Sequence, residues 1–357
     1  MTEKLKRRVA AVFGDGHIRL MEQDLPELCP GAVLIEVCAS LVSPGTEFGG
    51  WRALASRRAS PKADAEPSPF GYSNAGVVSA VGEGVERFSP GDRVAAIGAG
   101  YAYHTDWAVV PQNLCVLLPK EVTYEQASYG MLLATALHAV RRGQPELGEY
   151  VAVAGLGVVG QLTAQVHRLA GNYVIGWDSI RFRVEVARKW GIDAAVVVEE
   201  EDESAATKAF TRGEGLDACV LALGGPGDTV VRHLAQCMKR TPDGHRMGRM
   251  VVVGGATFDY GSVELPDQTN IDIRRASRTG FGYHDNAWEY GQDYPPVAMR
   301  WTTRTNLELC MRLIAEGKVN VDALTTHRIP LSDIDADTSD ALRDPDRMLG
   351  VIFAMKE

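Results

Sequence analysis

The stretch YVAVAGLGVVGQLTAQVHRLAGNYVIGWD, residues 150–178, decides the fold. It opens on an apolar run of strand length, 151–154, and then sets Gly155, Gly157 and Gly160 at G-x-G-x-x-G spacing. Beyond them Val159, Leu162, Val166 and Leu169 recur at helical intervals, and a second apolar run, 173–177, ends on Asp178. A glycine triplet alone is common, and a glycine-rich turn with no ligand is the alternative reading. Strand, turn, helix and terminal acid in this order are what dinucleotide binding needs. Gly155 permits the tight turn, Gly157 lets backbone approach a pyrophosphate, and Gly160 lets the helix pack on the strand. Leu156, Val158 and Val159 complete the candidate turn, whose N–H groups and helix dipole would hold the phosphates. Asp178 would accept hydrogen bonds from both adenine-ribose hydroxyls and repel a 2′-phosphate, which favours NAD over NADP. Arg181 and Arg183 follow and would tolerate a phosphate, or be solvated residues of the next helix. Arg183 and Gly254, which follows the apolar run 250–253, complete the cofactor candidates.

A chain of 357 residues suggests about two domains. Its 45% hydrophobic content is ample for two cores, and the formal net charge of −9 argues against nucleic-acid or anionic-membrane partners. No apolar run approaches the ~20 residues of a membrane span. The basic start, MTEKLKRRVAAVF, lacks the apolar run and cleavage site of a secretory leader. Six scattered cysteines with no C-x-x-C pair suit reduced thiols, so a cytoplasmic location is expected.

The first ~120 residues read as short strands, among them 32–38, 76–81, 93–97 and 107–110, separated by Gly, Pro, Ser and Asp. The polar interruption at 52–69 reads as a surface loop or short helix. From about Thr123 helices alternate with buried strands, at 151–154, 174–177, 194–198, 218–222 and 250–253. That alternation predicts a parallel sheet covered on both faces. The acidic run 199–203 reads as a solvated helix start, 307–316 as a helix stopped by Gly317, and 350–354 as a returning strand.

Several local motifs carry a resemblance. They are Ser43-Pro44-Gly45-Thr46-Glu47, Gly71-Tyr72-Ser73-Asn74-Ala75-Gly76-Val77-Val78, Phe88-Ser89-Pro90-Gly91-Asp92-Arg93-Val94 and the GLGVVG turn. Together they resemble the medium-chain dehydrogenase/reductase superfamily, and Pro90-Gly91 would form a turn in which Gly supplies a positive φ. SPGTE, GYSNAGVV, GAGYAYH and ATALHAVRR resemble a bacterial branch of zinc-type alcohol dehydrogenases. Some of that branch occur with sugar-modifying oxidoreductases, and a related group oxidises a hydroxyethyl side chain in bacteriochlorophyll synthesis. The resemblance implies an α/β fold in which a Rossmann dinucleotide-binding domain, 119–301, is inserted into a β-rich GroES-like catalytic domain, 1–118 and 302–357. It further implies a cleft between the domains and a homodimer joined through edge strands after 250–253.

The departures from that family are as informative. Its three zinc ligands correspond to Pro44, Tyr72 and about Met131, and residues 98–111 hold no cysteine for a structural zinc lobe. Catalytic zinc needs three good N, S or O donors around an open position, so no metal site is expected. Thr46 matches the family position whose hydroxyl contacts the reacting oxygen and relays its proton. Tyr72 replaces a zinc-binding His, so its phenol would enter the vacated pocket and donate to a carbonyl. Glu47 would orient Thr46 or bind substrate hydroxyls. His104 belongs to a residue type that titrates near neutral pH, the alternative being a plain hydrogen-bonding role. Trp51, Tyr101, Tyr103 and Trp107 lie in candidate pocket segments and would face sugars, or be core.

These features favour an NAD-dependent, zinc-independent dehydrogenase acting on a small-molecule secondary alcohol or ketone. A sugar, cyclitol or polyol is the substrate class the resemblance suggests. An NAD(P)H-dependent enoyl or quinone reductase is the rival enzyme, and a non-catalytic NAD(H)-binding protein the rival of another class.

Overall fold

The computed structural model describes residues 5–61, 65–264, 269–295, 297 and 299–355. Contacts divide the chain into two compact units, one of residues 1–134 with 279–357, the other of residues 135–278.

The first unit is built on a seven-stranded sheet. Its order is Thr325–Pro330, Gly350–Ala354, Ala32–Leu41, Ser73–Val81, Arg93–Ile97 and Cys115–Leu117, with Trp107–Pro111 also pairing with Ala32–Leu41. Ala32–Leu41 pairs with three strands, and its Val33, Ile35 and Val37 are buried. Gly76 lies opposite Val37, and a Cβ there would stand 2.1 Å from the Glu36 carbonyl oxygen, so only glycine lets the strands close. The Ser89–Asp92 turn is held by Asp92, whose carboxylate accepts the Ser89 N–H at 2.8 Å, and Gly91 has the expected positive φ of 95°. A smaller sheet orders Ile18–Asp24, Lys6–Val12 and Ser68–Pro69. The segment 52–69 contains most of a helix, Trp51–Ala59, and its residues 62–64 lie outside the described residues.

The second unit has a six-stranded, wholly parallel sheet. The order is Ala194–Val197, Tyr173–Asp178, Tyr150–Ala154, Ala218–Leu221, Arg246–Val252 and Thr269–Arg275, which is 3-2-1-4-5-6 in chain order within this unit. That is the dinucleotide-binding order, with the central crevice outside the carboxyl ends of the strands. Val151 and Val153 enter one core cluster, Ala152 and Ala154 the other, so the alternating side chains of one strand are buried on both faces. Five strands stand where the sequence predicts them. The sixth, Thr269–Arg275, is a polar edge strand with four of its seven residues exposed, and it carries no apolar run.

The unit boundaries lie inside the expected 119 and 301. Residues 119–134 and the described part of 279–301 pack with the first unit, where polar groups among them find partners. Ser73 Oγ donates to the Ser128 carbonyl at 2.6 Å, Asn113 Nδ2 donates to the Trp288 carbonyl at 2.6 Å, and the Ala99 N–H donates to the Tyr283 hydroxyl at 2.9 Å. The acidic run 199–203 reaches a helix only at its end: Glu203–Phe210 is capped by Asp202, whose carboxylate accepts the Ala205 N–H.

Candidate active site

In the second unit, Gly155 has φ +90°, and a Cβ there would stand 2.6 Å from the Ala222 carbonyl oxygen. A Cβ on Gly160 would come within 1.7 Å of the Gly155 carbonyl oxygen. Both glycines are therefore demanded by the turn and the helix–strand packing. Gly157 differs: its φ of −64° suits any residue, and nothing lies within 4 Å of a Cβ built on it. Neither backbone nor neighbours require glycine there. Open space before the helix Val158–Leu169, whose first N–H groups lack intrahelical acceptors, suits a closely approaching phosphate. Val158 and Val159 begin that helix, while Leu156 is fully buried.

Asp178 ends its strand with a carboxylate fixed by three donors. The Leu156 N–H donates to Oδ2 at 2.7 Å, the Ile180 N–H donates to Oδ1 at 2.7 Å, and Arg183 Nη1 lies 3.5 Å from Oδ2. An ionised carboxylate has about four acceptor sites, so capacity remains for ribose hydroxyls. The buried Nε of Arg183 has no hydrogen-bond partner among the described residues. Gly254 serves packing, since a Cβ there would stand 2.1 Å from the Leu223 carbonyl oxygen. The open cradle at Gly157 and the fixed acid of Asp178 fit a dinucleotide.

In the first unit, Thr46 and Glu47 lie on the short helix Pro44–Phe48, started by Pro44 and ended by Gly49 in the left-handed region. Thr46 is exposed, whereas the Glu47 side chain is only 3% exposed. Glu47 Oε2 accepts the Ser43 N–H at 3.0 Å, and Oε1 lies 3.3 Å from His104 Nε2. The other ring nitrogen, His104 Nδ1, lies 2.7 Å from Ser40 Oγ. The Tyr72 hydroxyl donates to Ser43 Oγ at 2.5 Å. Burial first, and then the charge of Glu47, push the Tyr72 phenol well above its ordinary pKa, against the Ser43 and Thr46 hydrogen bonds. Tyr283 lies within electrostatic reach of it.

Thr46, Glu47, Tyr72 and His104 thus converge, but not as equals. His104 is fully buried, edge-on to Phe70 and Phe353 at ring-centroid distances of 4.8 and 5.0 Å. The sequence placed it beside the reacting group, and the structure places it behind Glu47, away from solvent. Trp51 is core, packed on Phe48 at 4.9 Å, and Tyr103 lies under the Arg7 guanidinium. Ser40 and Ser43 were missed. A serine before Pro44 reads from sequence as an ordinary helix cap.

Zinc does not fit the donors at the corresponding positions. Pro44 offers no side-chain donor atom, Met131 offers a buried thioether, and the Tyr72 phenol keeps its proton, burial and Glu47 raising its pKa. Among the described residues, no group of three or more His, Cys, Asp or Glu side chains is placed to hold a metal ion.

Two family models match the chain. Residues 30–124 match the family model described as alcohol dehydrogenase GroES-like domain, and residues 158–301 the one described as zinc-binding dehydrogenase. The second match includes neither Pro44, Tyr72 nor Met131. An L-threonine 3-dehydrogenase of Pyrococcus abyssi is 30% identical over 340 residues, covering 87% of this chain and 87% of that one. A sorbitol dehydrogenase of Mus musculus is 28% identical over 352 residues, covering 90% of this chain and 88% of its own. The crystal structure of 2R,3R-butanediol dehydrogenase from Bacillus subtilis shares the fold at a TM-score of 0.71 and 20% identity, covering 98% of this chain and all of that one. Among the described residues no helix is long and apolar enough to cross a membrane.

Proposed function

The chain belongs to the medium-chain dehydrogenase/reductase superfamily, and from that premise we propose that it is an NAD-dependent, zinc-independent dehydrogenase interconverting a secondary alcohol and a ketone. A polyol, sugar or cyclitol is the proposed substrate class, supported by the sorbitol dehydrogenase relative, while the threonine dehydrogenase relative supports a secondary alcohol more broadly. The observation that carries the reading is the Tyr72 phenol. By the resemblance it stands where the family has a metal-binding His, and its hydroxyl donates to Ser43 Oγ, while burial and the charge of Glu47 raise its pKa further.

NAD, when bound, supplies the hydride acceptor for alcohol oxidation. The chain's own residues must handle the oxygen and its proton. A neutral phenol cannot act as a base at neutral pH, but it donates a hydrogen bond to the carbonyl oxygen and stabilises charge developing there. Thr46, exposed and bearing a hydroxyl that both accepts and donates, passes the alcohol proton to water as the hydride leaves. Glu47 and His104 do not touch substrate in this reading. They are positioning residues that hold Ser43 and, through it, Tyr72. Gly157 and the helix start would hold the pyrophosphate, and Asp178 would hold the adenine ribose and disfavour NADPH. That preference counts against the enoyl or quinone reductase reading.

The test is steady-state turnover of chelator-treated protein with NAD or NADP across secondary alcohols and polyols. NAD-linked turnover supports the proposal. NADH binding with no turnover across the panel would favour a non-catalytic binding protein.

A further inference from the structure

We propose that Ser43 is a positioning residue for Tyr72, its hydroxyl being withheld from the helix it precedes so that it can serve the phenol. The inference rests on the reading of Tyr72 given above. Serine before a helix ordinarily turns its oxygen to an N–H of the first turn. Ser43 is the N-cap of Pro44–Phe48 and makes no such bond. Its oxygen lies instead 2.5 Å from the Tyr72 hydroxyl. A local rule broken without local gain marks a site where function sets the geometry.

The rest of Ser43 is fixed from behind. Its carbonyl oxygen accepts the N–H groups of Thr46 and Glu47 at 3.1 and 3.0 Å, and its N–H is donated to Glu47 Oε2. Glu47 in turn leans on His104, which leans on Ser40, and Phe70 and Phe353 hold the imidazole edge-on. The line Ser40–His104–Glu47–Ser43–Tyr72 therefore ends at one phenol. Both hydroxyls at that end are rotors. Without substrate, Tyr72 donates to Ser43. When a carbonyl oxygen arrives, the Ser43 hydrogen turns to the Tyr72 oxygen and the phenol hydrogen turns to the substrate, with no heavy atom moving. A phenol that accepts one hydrogen bond while donating another is a stronger donor.

The experiment uses the full chain, with NAD and the fastest of sorbitol, butanediol and inositol, and a second sample isotope-labelled at tyrosine Cζ. The Tyr72 resonance is identified by its loss in Tyr72→Phe. Ser43→Ala is expected to shift that resonance and to lower kcat roughly ten- to a hundredfold, with KM for NAD unchanged. Ser43→Thr should restore both, and Ser43→Ala added to Tyr72→Phe should cost nothing more. An unmoved resonance, or an equal loss with and without the Tyr72 hydroxyl, would overturn the proposal. A silent Tyr72→Phe would instead overturn the reading of Tyr72, while the resonance still reports on the Ser43 contact.

Discussion

The carboxylate of Asp178 accepts the backbone N–H of Leu156 at 2.7 Å. The acid proposed to read the ribose is thereby bonded to the turn proposed to hold the phosphates, so in that proposal one side chain would both select the cofactor and shape its cradle.

Asp178→Ser should weaken NADH binding and narrow the preference over NADPH by ~1–3 kcal/mol, the scale of a charged hydrogen bond. It should also lower Tm, because the N–H groups of Leu156 and Ile180 lose their acceptor. Fluorescence titration with both reduced cofactors checks this. Equal wild-type affinities would remove Asp178 from the role.

Gly157→Ala and Gly160→Ala should behave differently. A methyl at Gly160 would collide with the Gly155 carbonyl oxygen, so Tm should fall sharply. A methyl at Gly157 meets nothing, so Tm should hold while NADH affinity drops. Unchanged NADH affinity in Gly157→Ala would mean that no phosphate approaches there.

Tyr72→Phe should lower kcat about a hundredfold or more, the scale of losing one oxyanion donor, with NADH affinity unchanged. Because burial and Glu47 raise the phenol pKa, kcat should show no decline from phenol ionisation as pH rises through the ordinary tyrosine range. A break near the ordinary tyrosine pKa that vanishes in Tyr72→Phe would contradict the raised value.

His167 is fully buried, and burial pushes its pKa down to about 4 against the Asn172 hydrogen bond. Between 4 and its ordinary value of 6.5 the unfolded chain binds the extra proton, so stability is lost as pH falls through that window. The full effect is ~3 kcal/mol, at 1.36 kcal/mol per unit. Urea unfolding from pH 7 to 4 should show the loss in wild type and a smaller one in His167→Gln. Parallel profiles would show that His167 is not the group responsible.

The homodimer is proposed through the outer edge of Thr269–Arg275, which among the described residues pairs on one side only, with Arg246–Val252. Solution scattering at micromolar concentration should give twice the chain mass. A monodisperse monomer would remove the dimer and leave the fold intact.

The turn at Gly155 and five parallel strands were legible because each rests on local chemistry: an apolar run, a glycine demanded by φ or contact, an acid at a strand end. Thr269–Arg275 was not, since a polar edge strand has no apolar run to betray it. The packing of the described part of residues 279–301 against the first unit was not legible, because long-range polar bonds such as Asn113 to Trp288 decide it. Tyr72 and Glu47 could be picked out by motif. Ser40, Ser43 and the burial of His104 could not, because a small hydroxyl gains its role only from the partner that folding brings to it.

We propose that the chain oxidises an alcohol without zinc, the oxygen being held by Tyr72. Elemental analysis of chelator-treated protein, followed by NAD-linked polyol turnover before and after zinc addition, tests it most directly. The expected result is turnover by protein with far less than stoichiometric zinc, unchanged when zinc is added. Stoichiometric zinc in the protein as isolated, with activity lost to chelator and restored by the metal, would contradict it.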